Sequence, residues 1–296
     1  MSQIVITGAT GLLGARALTL LCQRHVCHAI VRTAPRHRLD GVTYYEKDLA
    51  KAWSVSDLPP EIDAVLHLAQ ARAFREFPQH AMDTFLVNTG ATAVLLDYAV
   101  RARANQFILA STGGLYGSSA VPINEEAPVA PPRRQLGHYF ATKQSAELLT
   151  GAYLNQFNVT VLRPFFIYGP GQGHDMLVPR LVDCVRSGRP ISLVGATGSQ
   201  LNPVFVDDVV HLLDACLHAQ TSQVINVAGP DVLTVREISE LIGRVVFRAP
   251  VFERQNGEPD TFVADISRMK SVWSGPLTTF PCGLEATIQQ LDLAPC

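Results

Sequence analysis

The chain has 296 residues, 47% hydrophobic and 17% charged, which suits one large α/β domain with a smaller appendage and excludes a disordered or fibrous protein. Its 24 Lys+Arg against 26 Asp+Glu leave a formal net charge of −2, so the basic footprint of a nucleic-acid binder is missing. Six scattered cysteines (Cys22, Cys27, Cys184, Cys216, Cys282 and Cys296), without C-x-x-C or histidines at ligand spacing, read as reduced thiols packed as small apolar groups, and no metal is expected.

In chain order, the first expected strand is Gln3–Thr7. It leaves no room for a signal peptide, and no apolar run approaches the ~18 residues that span a bilayer, so a cytoplasmic protein without membrane contact is expected. A helix over Leu12–Arg24 follows, then strands Cys27–Arg32, Thr43–Glu46 and Ala64–Leu68. A long helix His80–Arg103, a strand Gln106–Ala110, a helix His138–Phe157 and a strand Thr160–Arg163 complete the first part. Near-continuous apolar strands alternating with helices predict a Rossmann-like, doubly wound parallel sheet in an α/β fold. The loop Val121–Arg134, with four prolines, reads as a surface excursion. From about Tyr168 the strands shorten and Pro and Gly increase, with helices near Met176–Arg186, Asp208–Ala219 and Val235–Val245. This predicts an NAD(P)-binding domain over residues 1–168 and a smaller C-terminal α/β substrate lobe over 169–296, partly interleaved with it.

The segment Thr7-Gly8-Ala9-Thr10-Gly11-Leu12-Leu13-Gly14 joins the first strand to the first helix. Glycines three apart permit a tight turn, close backbone approach to a pyrophosphate, and tight helix–strand packing, with the helix N-terminus facing the phosphates. Gly8, Thr10, Gly11, Leu12, Leu13 and Gly14 are therefore candidate cofactor contacts, although any tight turn can use such glycines. The second strand ends at Val31-Arg32, with Arg36, His37 and Arg38 close behind and no acid before Asp40. An arginine there accommodates a 2′-phosphate where a carboxylate would bind a ribose hydroxyl, so NADP is favoured over NAD. A solvated basic loop is the competing explanation.

Tyr139 and Lys143 lie four apart and share one helix face. A phenol acting as a base near neutral pH needs its pKa lowered by ~3 units, about 4 kcal/mol. A nearby ammonium favours the phenolate, and the same lysine can hold the nicotinamide ribose. A surface pair has the same spacing. Ser111-Thr112 follows the fifth strand, where a hydroxyl could hold a reacting oxygen or simply cap a turn.

Taken together these segments resemble the extended short-chain dehydrogenase/reductases, the NAD-dependent epimerase/dehydratase type that includes UDP-galactose 4-epimerase. The similarity runs through the glycine turn, Asp48-Leu49, His67-Leu68-Ala69, Asn88, Ser111–Gly117, Tyr139-x-x-x-Lys143 and Leu162-Arg163-Pro164. It continues through Tyr168-Gly169-Pro170-Gly171, Val206–Val209 and Ala264–Ser267. The resemblance implies Tyr139 as catalytic acid/base, Lys143 as its pKa-lowering, ribose-holding partner, and Thr112 as the oxygen-orienting hydroxyl. It puts Asp48-Leu49 at the adenine and Leu68, Ala69 and Gln70 beside the cofactor ribose and pyrophosphate, with Asn88 in the same cofactor set. It also implies a homodimer through a four-helix interface made by the helices at His80–Arg103 and His138–Phe157.

The departures are as informative. Gly113-Gly114-Leu115 lacks the acid that dehydratases carry after the threonine, so dehydration is not expected. Phe166 stands where the family often has Asn, and Gln70 where it has a small residue. Leu201-Asn202-Pro203 lacks the arginine that clamps a substrate diphosphate, leaving Arg180 or Arg254 as replacements. The expected function is hydride transfer on a sugar-like substrate, with a nucleotide sugar as the class implied, by an oxidoreductase working as a ketoreductase or an epimerase. A non-catalytic NADP(H)-sensing regulator or scaffold is the alternative from another class. His174-Asp175 and Asp207-Asp208 read more readily as helix-start acids than as catalytic pairs.

Overall fold

A computed structural model of the chain describes residues 1–132 and 135–293, the last two by backbone alone. Arg133 and Arg134, at the end of the proline-bearing loop, and Cys296 lie outside the described residues. The strands are β1 (Gln3–Thr7), β2 (Val26–Val31), β3 (Val42–Glu46), β4 (Ala64–His67), β5 (Gln106–Ala110), β6 (Asn158–Pro164) and β7 (Ile167–Tyr168). They continue as β8 (Ile191–Val194), β9 (Gln200–Leu201), β10 (Val204–Phe205), β11 (Gln223–Val227), β12 (Leu233–Thr234), β13 (Phe252–Gln255) and β14 (Thr261–Phe262). The helices are α1 (Leu12–Leu21), α2 (Ala81–Phe85), α3 (Ala91–Arg101), α4 (Gly137–Gly151), α5 (Leu177–Ser187), α6 (Val206–Cys216), α7 (Val235–Val245), α8 (Ser267–Val272) and α9 (Phe280–Leu293).

The main sheet has the order β11-β6-β5-β4-β1-β2-β3, and β1 to β6 pair in parallel. The chain leaves β1 toward β2 on one side and returns to β4 on the other. This reversal beside β1 opens the crevice at the carboxyl ends of a Rossmann-type sheet. Ile4, Val5 and Ile6 are fully buried, each contributing roughly 1.5–3 kcal/mol of burial, which is why the strand reads as an unbroken apolar run.

By packing, the chain forms two compact units. The first comprises Met1–Leu115, Val129–Arg163 and Val210–Ile225, and the second Tyr116–Pro128, Pro164–Val209 and Asn226 onward. In the first, Leu95, Leu96 and Ala99 of α3 and Ala146 of α4 join Val5, Val65, Phe107, Val159 and Val161 in one core cluster. In the second, β8 pairs with β13, β9 lies between β12 and β14, and α5, α7 and α9 share a core with Tyr168 and Phe205. α7 opens on a capping box in which Thr234 and Glu237 each satisfy the other's backbone N–H.

Several expected boundaries shift. The single helix over His80–Arg103 is α2 and α3 joined by a π-helical turn, Leu86–Gly90. There the Thr92 hydroxyl donates to the Asn88 carbonyl at 2.7 Å, taking up an acceptor of the turn. α1 stops at Leu21 rather than Arg24 because its buried stripe ends there and β2 begins five residues later. α4 stops at Gly151 rather than Phe157, and Phe157 turns inward to stack between Phe107 and Tyr153. α5 and α6 each begin and end within three residues of expectation, β2 ends one residue before Arg32, and α8 and α9 were not expected. No helix among the described residues is long and apolar enough to cross a membrane.

A close backbone approach in the first unit lies at Gly14, where an added Cβ would sit 2.1 Å from the Gly8 carbonyl oxygen. Gly14→Ala is expected to cost about 3 kcal/mol by overpacking, against the direction of helix propensity. Gly151→Ala, at the open end of α4 with nothing within 4 Å, should instead be neutral or stabilising. Urea unfolding of both variants measures the contrast.

Candidate active site

All the expected catalytic and cofactor-binding residues fall in the first unit. Gly8 leaves β1 with φ +69, and a Cβ on it would lie 2.7 Å from the Ala69 nitrogen, so only glycine lets the turn and the loop after β4 meet. The Gly11 N–H donates to the Gly8 carbonyl at 2.9 Å. α1 then starts with neither a capping side chain nor an acid in its first turn. Its leading N–H groups and positive dipole end are thus available to an anion, beside exposed Thr10 and Gly11 and half-buried Leu12 and Leu13.

Thr7 ties the ends of β1 and β4 together. Its hydroxyl shares a 2.7 Å hydrogen bond with His67 Nδ1 and accepts from the Ala69 N–H at 3.1 Å. Burial, reinforced by the Lys143 charge, pushes the His67 pKa down to about 3, so the ring is neutral. Leu68 and Ala69 follow directly. Asn88, fully buried in the π-helical turn, accepts from the Ala71 N–H at 3.2 Å and donates to the Thr142 hydroxyl at 3.0 Å, locking the loop after β4 to α4. Asp48 turns the chain after β3 by accepting from the Ala50 N–H at 3.1 Å, and pairs with Lys51 at 3.6 Å, next to half-buried Leu49. Arg32 is exposed just beyond β2.

Tyr139 and Lys143 are both buried on α4, with Thr112 at the end of β5. Tyr139 donates its hydroxyl to Gln70 Oε1 at 2.9 Å, and its ring lies 4.7 Å from Phe74 and 5.4 Å from Phe140. Burial pushes the phenol pKa up, opposed by a hydrogen bond with Thr112 and by the Arg75 charge. Lys143 Nζ donates to the Ala110 carbonyl at 2.8 Å, and burial lowers its pKa to about 8 against the opposing charge of Glu147. Glu147 is itself clasped by Arg163 at 3.0 and 2.6 Å. Thr112 Oγ1 accepts from the Gly114 N–H at 3.1 Å.

These residues fit a nicotinamide dinucleotide. An uncapped glycine turn suits the pyrophosphate, and a buried ammonium with one protein acceptor retains donors for ribose hydroxyls. Sequence reasoning missed Thr7 paired with His67, and also Phe74, Arg75 and Phe140. His67 carries a sequence signal, as the first residue of His67-Leu68-Ala69. Arg75 gives no sequence signal, because its approach to Tyr139 depends on the path of the loop.

The second unit holds a pocket of ≈ 440 Å³ whose walls include Phe166, Arg180, Ser192, Leu201 and Phe262, but not Arg254. Asn202 is committed to the fold, exchanging 3.0 Å bonds with both the N–H and the carbonyl of Ala264. His174 pairs at 2.7 Å with Asp183 on the surface, and Asp208 accepts from the Thr278 N–H and hydroxyl.

Residues 4–228 match the model of the NAD dependent epimerase/dehydratase family. The chain belongs to that family. As a member of it, the protein is an NAD-dependent enzyme of the short-chain dehydrogenase/reductase kind. A UDP-glucuronate 4-epimerase of Thermodesulfobacterium geofontis is 29% identical over 77% of this chain and 72% of its own. The uncharacterized UDP-glucose epimerase YtcB of Bacillus subtilis is 24% identical over 98% of both chains. Among solved structures, MoeE5 in complex with UDP-glucuronic acid and NAD is 25% identical, with a TM-score of 0.85 over 98% of this chain and 99% of that one. The UDP-glucuronic acid 4-epimerase of Bacillus cereus, at 22% identity and TM-score 0.86 over 98% of this chain and 99% of that one, has the same fold.

His67 refuses in the folded chain a proton that an unfolded imidazole binds at its ordinary 6.5. Its contribution is therefore complete above pH 6.5 and lost as pH falls toward about 3, amounting to a few kcal/mol. Urea unfolding at pH 7 and pH 4.5 should give a smaller pH-dependent loss for His67→Gln than for the wild type. Equal losses would assign the acid sensitivity elsewhere.

Proposed function

We propose that the enzyme moves a hydride to and from a carbinol carbon of a UDP-sugar, with Tyr139 as acid/base. Thr112 steadies the reacting oxygen and Lys143 holds the nicotinamide ribose. The observation that carries the reading is the convergence of the Tyr139 hydroxyl, Thr112 and the buried Lys143 beside an uncapped glycine turn. A bound nicotinamide dinucleotide supplies the hydride acceptor and donor. Tyr139 takes the substrate hydroxyl proton on oxidation and returns it on reduction. The turn residues Gly8–Gly14 would hold the pyrophosphate, Asp48 and Leu49 the adenine, and Leu68, Ala69 and Asn88 the wall beside the ribose. We assign cofactor binding to residues 1–168 and substrate contacts to 169–296, where Arg180 at the pocket wall would replace the missing diphosphate arginine.

Epimerisation is the favoured net reaction, supported by relatives named as 4-epimerases and by MoeE5 with NAD and UDP-glucuronic acid. A second reading, net ketoreduction with NADPH, rests on Arg32, exposed just beyond β2 and followed by no acid before Asp40. UDP-glucuronate and UDP-glucose, each incubated with the enzyme and NAD, should yield the C4 epimer of one of them by proton NMR. Tyr139→Phe should lose at least about 100-fold in rate while still binding NAD. Unchanged sugars, together with preferential filling by NADPH in a fluorescence titration, would transfer support to ketoreduction. Failure of both dinucleotides to bind would sink both readings.

A homodimer is supported by apolar side chains left outside on neighbouring helices, with Met82 64% exposed and Phe85 43% on α2, and Leu148 72% on α4. Burying three such side chains contributes several kcal/mol to association. Light scattering should give twice the chain mass for the wild type and a monomer for the Phe85→Asp/Leu148→Asp double variant. A wild-type monomer rules the interface out.

A further inference from the structure

The loop that follows β4 brings three side chains to Tyr139. Gln70 accepts the phenol O–H at 2.9 Å, Phe74 lies 4.7 Å from the ring, and Arg75 stacks over Phe74 at 4.6 Å, where its charge favours phenolate. Gln70 also stands where the sequence pattern offers a small residue. We propose that Gln70 is a positioning residue that keeps Tyr139 hydrogen-bonded in both of its protonation states; this rests on Tyr139 being the acid/base. A carboxamide carries an acceptor and a donor on the same planar end. As the oxygen it accepts from the neutral phenol, and after rotation about its last bond it donates N–H to the phenolate. The tyrosine can then lose and regain its proton without losing a partner.

The charge that favours the phenolate is that of Arg75, which cannot accept a hydrogen bond, and the Thr112 hydroxyl is the other hydrogen-bonding group beside the phenol. Gln70 Oε1 is the acceptor that takes the phenol O–H. Two substitutions separate its functions. In Gln70→Glu the carboxylate accepts but never donates, and its charge opposes phenolate. In Gln70→Leu both functions are lost while the volume is nearly kept. Gln70 is exposed, so both variants should fold.

The test begins with the full chain at pH 7, labelled with carbon-13 at the tyrosine ζ-carbon, the Tyr139 signal being assigned by its absence in Tyr139→Phe. That signal should move in both Gln70 variants while the other tyrosine signals stay. An unmoved signal overturns the proposal. Turnover of the UDP-sugar the wild type accepts should fall at least tenfold at pH 7 in Gln70→Glu and recover as pH rises, because the phenol pKa has moved up by a unit or more. A loss of equal size at every pH would mean a merely structural role and also overturns it. The NMR measurement needs no substrate, so it stands even if the epimerase reading fails. Conversely, retained turnover in Tyr139→Phe would remove that reading without deciding where Gln70 sits.

Discussion

The site depends on one close approach of backbone to backbone. β1 gives way to Gly8, whose left-handed φ turns the chain so that Gly14 packs on the Gly8 carbonyl and Ala69 on the Gly8 α-carbon. No side chain fits at either contact, so the start of α1 and the loop after β4 are set by main chain alone. Thr7 then ties that loop to β1 through the Ala69 N–H, and Asn88 ties its continuation at Ala71 to α4. Each step fixes the next, from a glycine in the first turn to a glutamine resting on a tyrosine 69 residues further along the chain.

Burial is the second constraint, and it works against the chemistry proposed for Tyr139. A phenol already needs about 4 kcal/mol to serve as a base near neutral pH, and enclosing it raises that requirement. The compensating groups are Thr112 and Arg75, one by hydrogen bond and one by charge. Lys143 is itself lowered to about 8, and donates to the Ala110 carbonyl. Burial of its own ring keeps His67 neutral, and the Lys143 charge beside it reinforces this. The Arg163–Glu147 pair is the counterweight, a half-buried carboxylate whose charge supports the Lys143 ammonium.

Strands β1, β4 and β5 were legible because each is a short apolar run with nearly every residue buried, and the glycine turn because steric exclusion demands glycine at fixed spacing. Tyr139, Lys143 and Thr112 were legible as spacing and strand-end position. What was not legible depends on long-range geometry. The two-residue strands β7, β9, β10, β12 and β14 carry too few residues for any period to register. The π-helical turn breaks a helix whose apolar pattern continues through it, and it exists because Asn88 reaches both Ala71 and Thr142. Gln70 was visible as a departure, but its meaning required knowing that the loop folds back over α4.

The departures from the family pattern come with structural answers beside them. A Cβ on Gly114 would lie 2.4 Å from the Phe140 ring, so the small residue after the threonine and the large one after the tyrosine fill one volume between them. Restoring a side chain at Gly114 alone would drive that ring onto its neighbour Tyr139, 5.4 Å away. Phe166 poses the opposite case in the second unit. It holds φ +48, a left-handed conformation that asparagine tolerates and a bulky aromatic resists, at a cost on the order of 1–3 kcal/mol. The ring is not needed to fill the core, since it is 38% exposed and meets Phe262 edge-on at the pocket wall. Strain borne by an exposed ring at a pocket wall brings the fold little in return, which makes the shape of that pocket the reason to keep it.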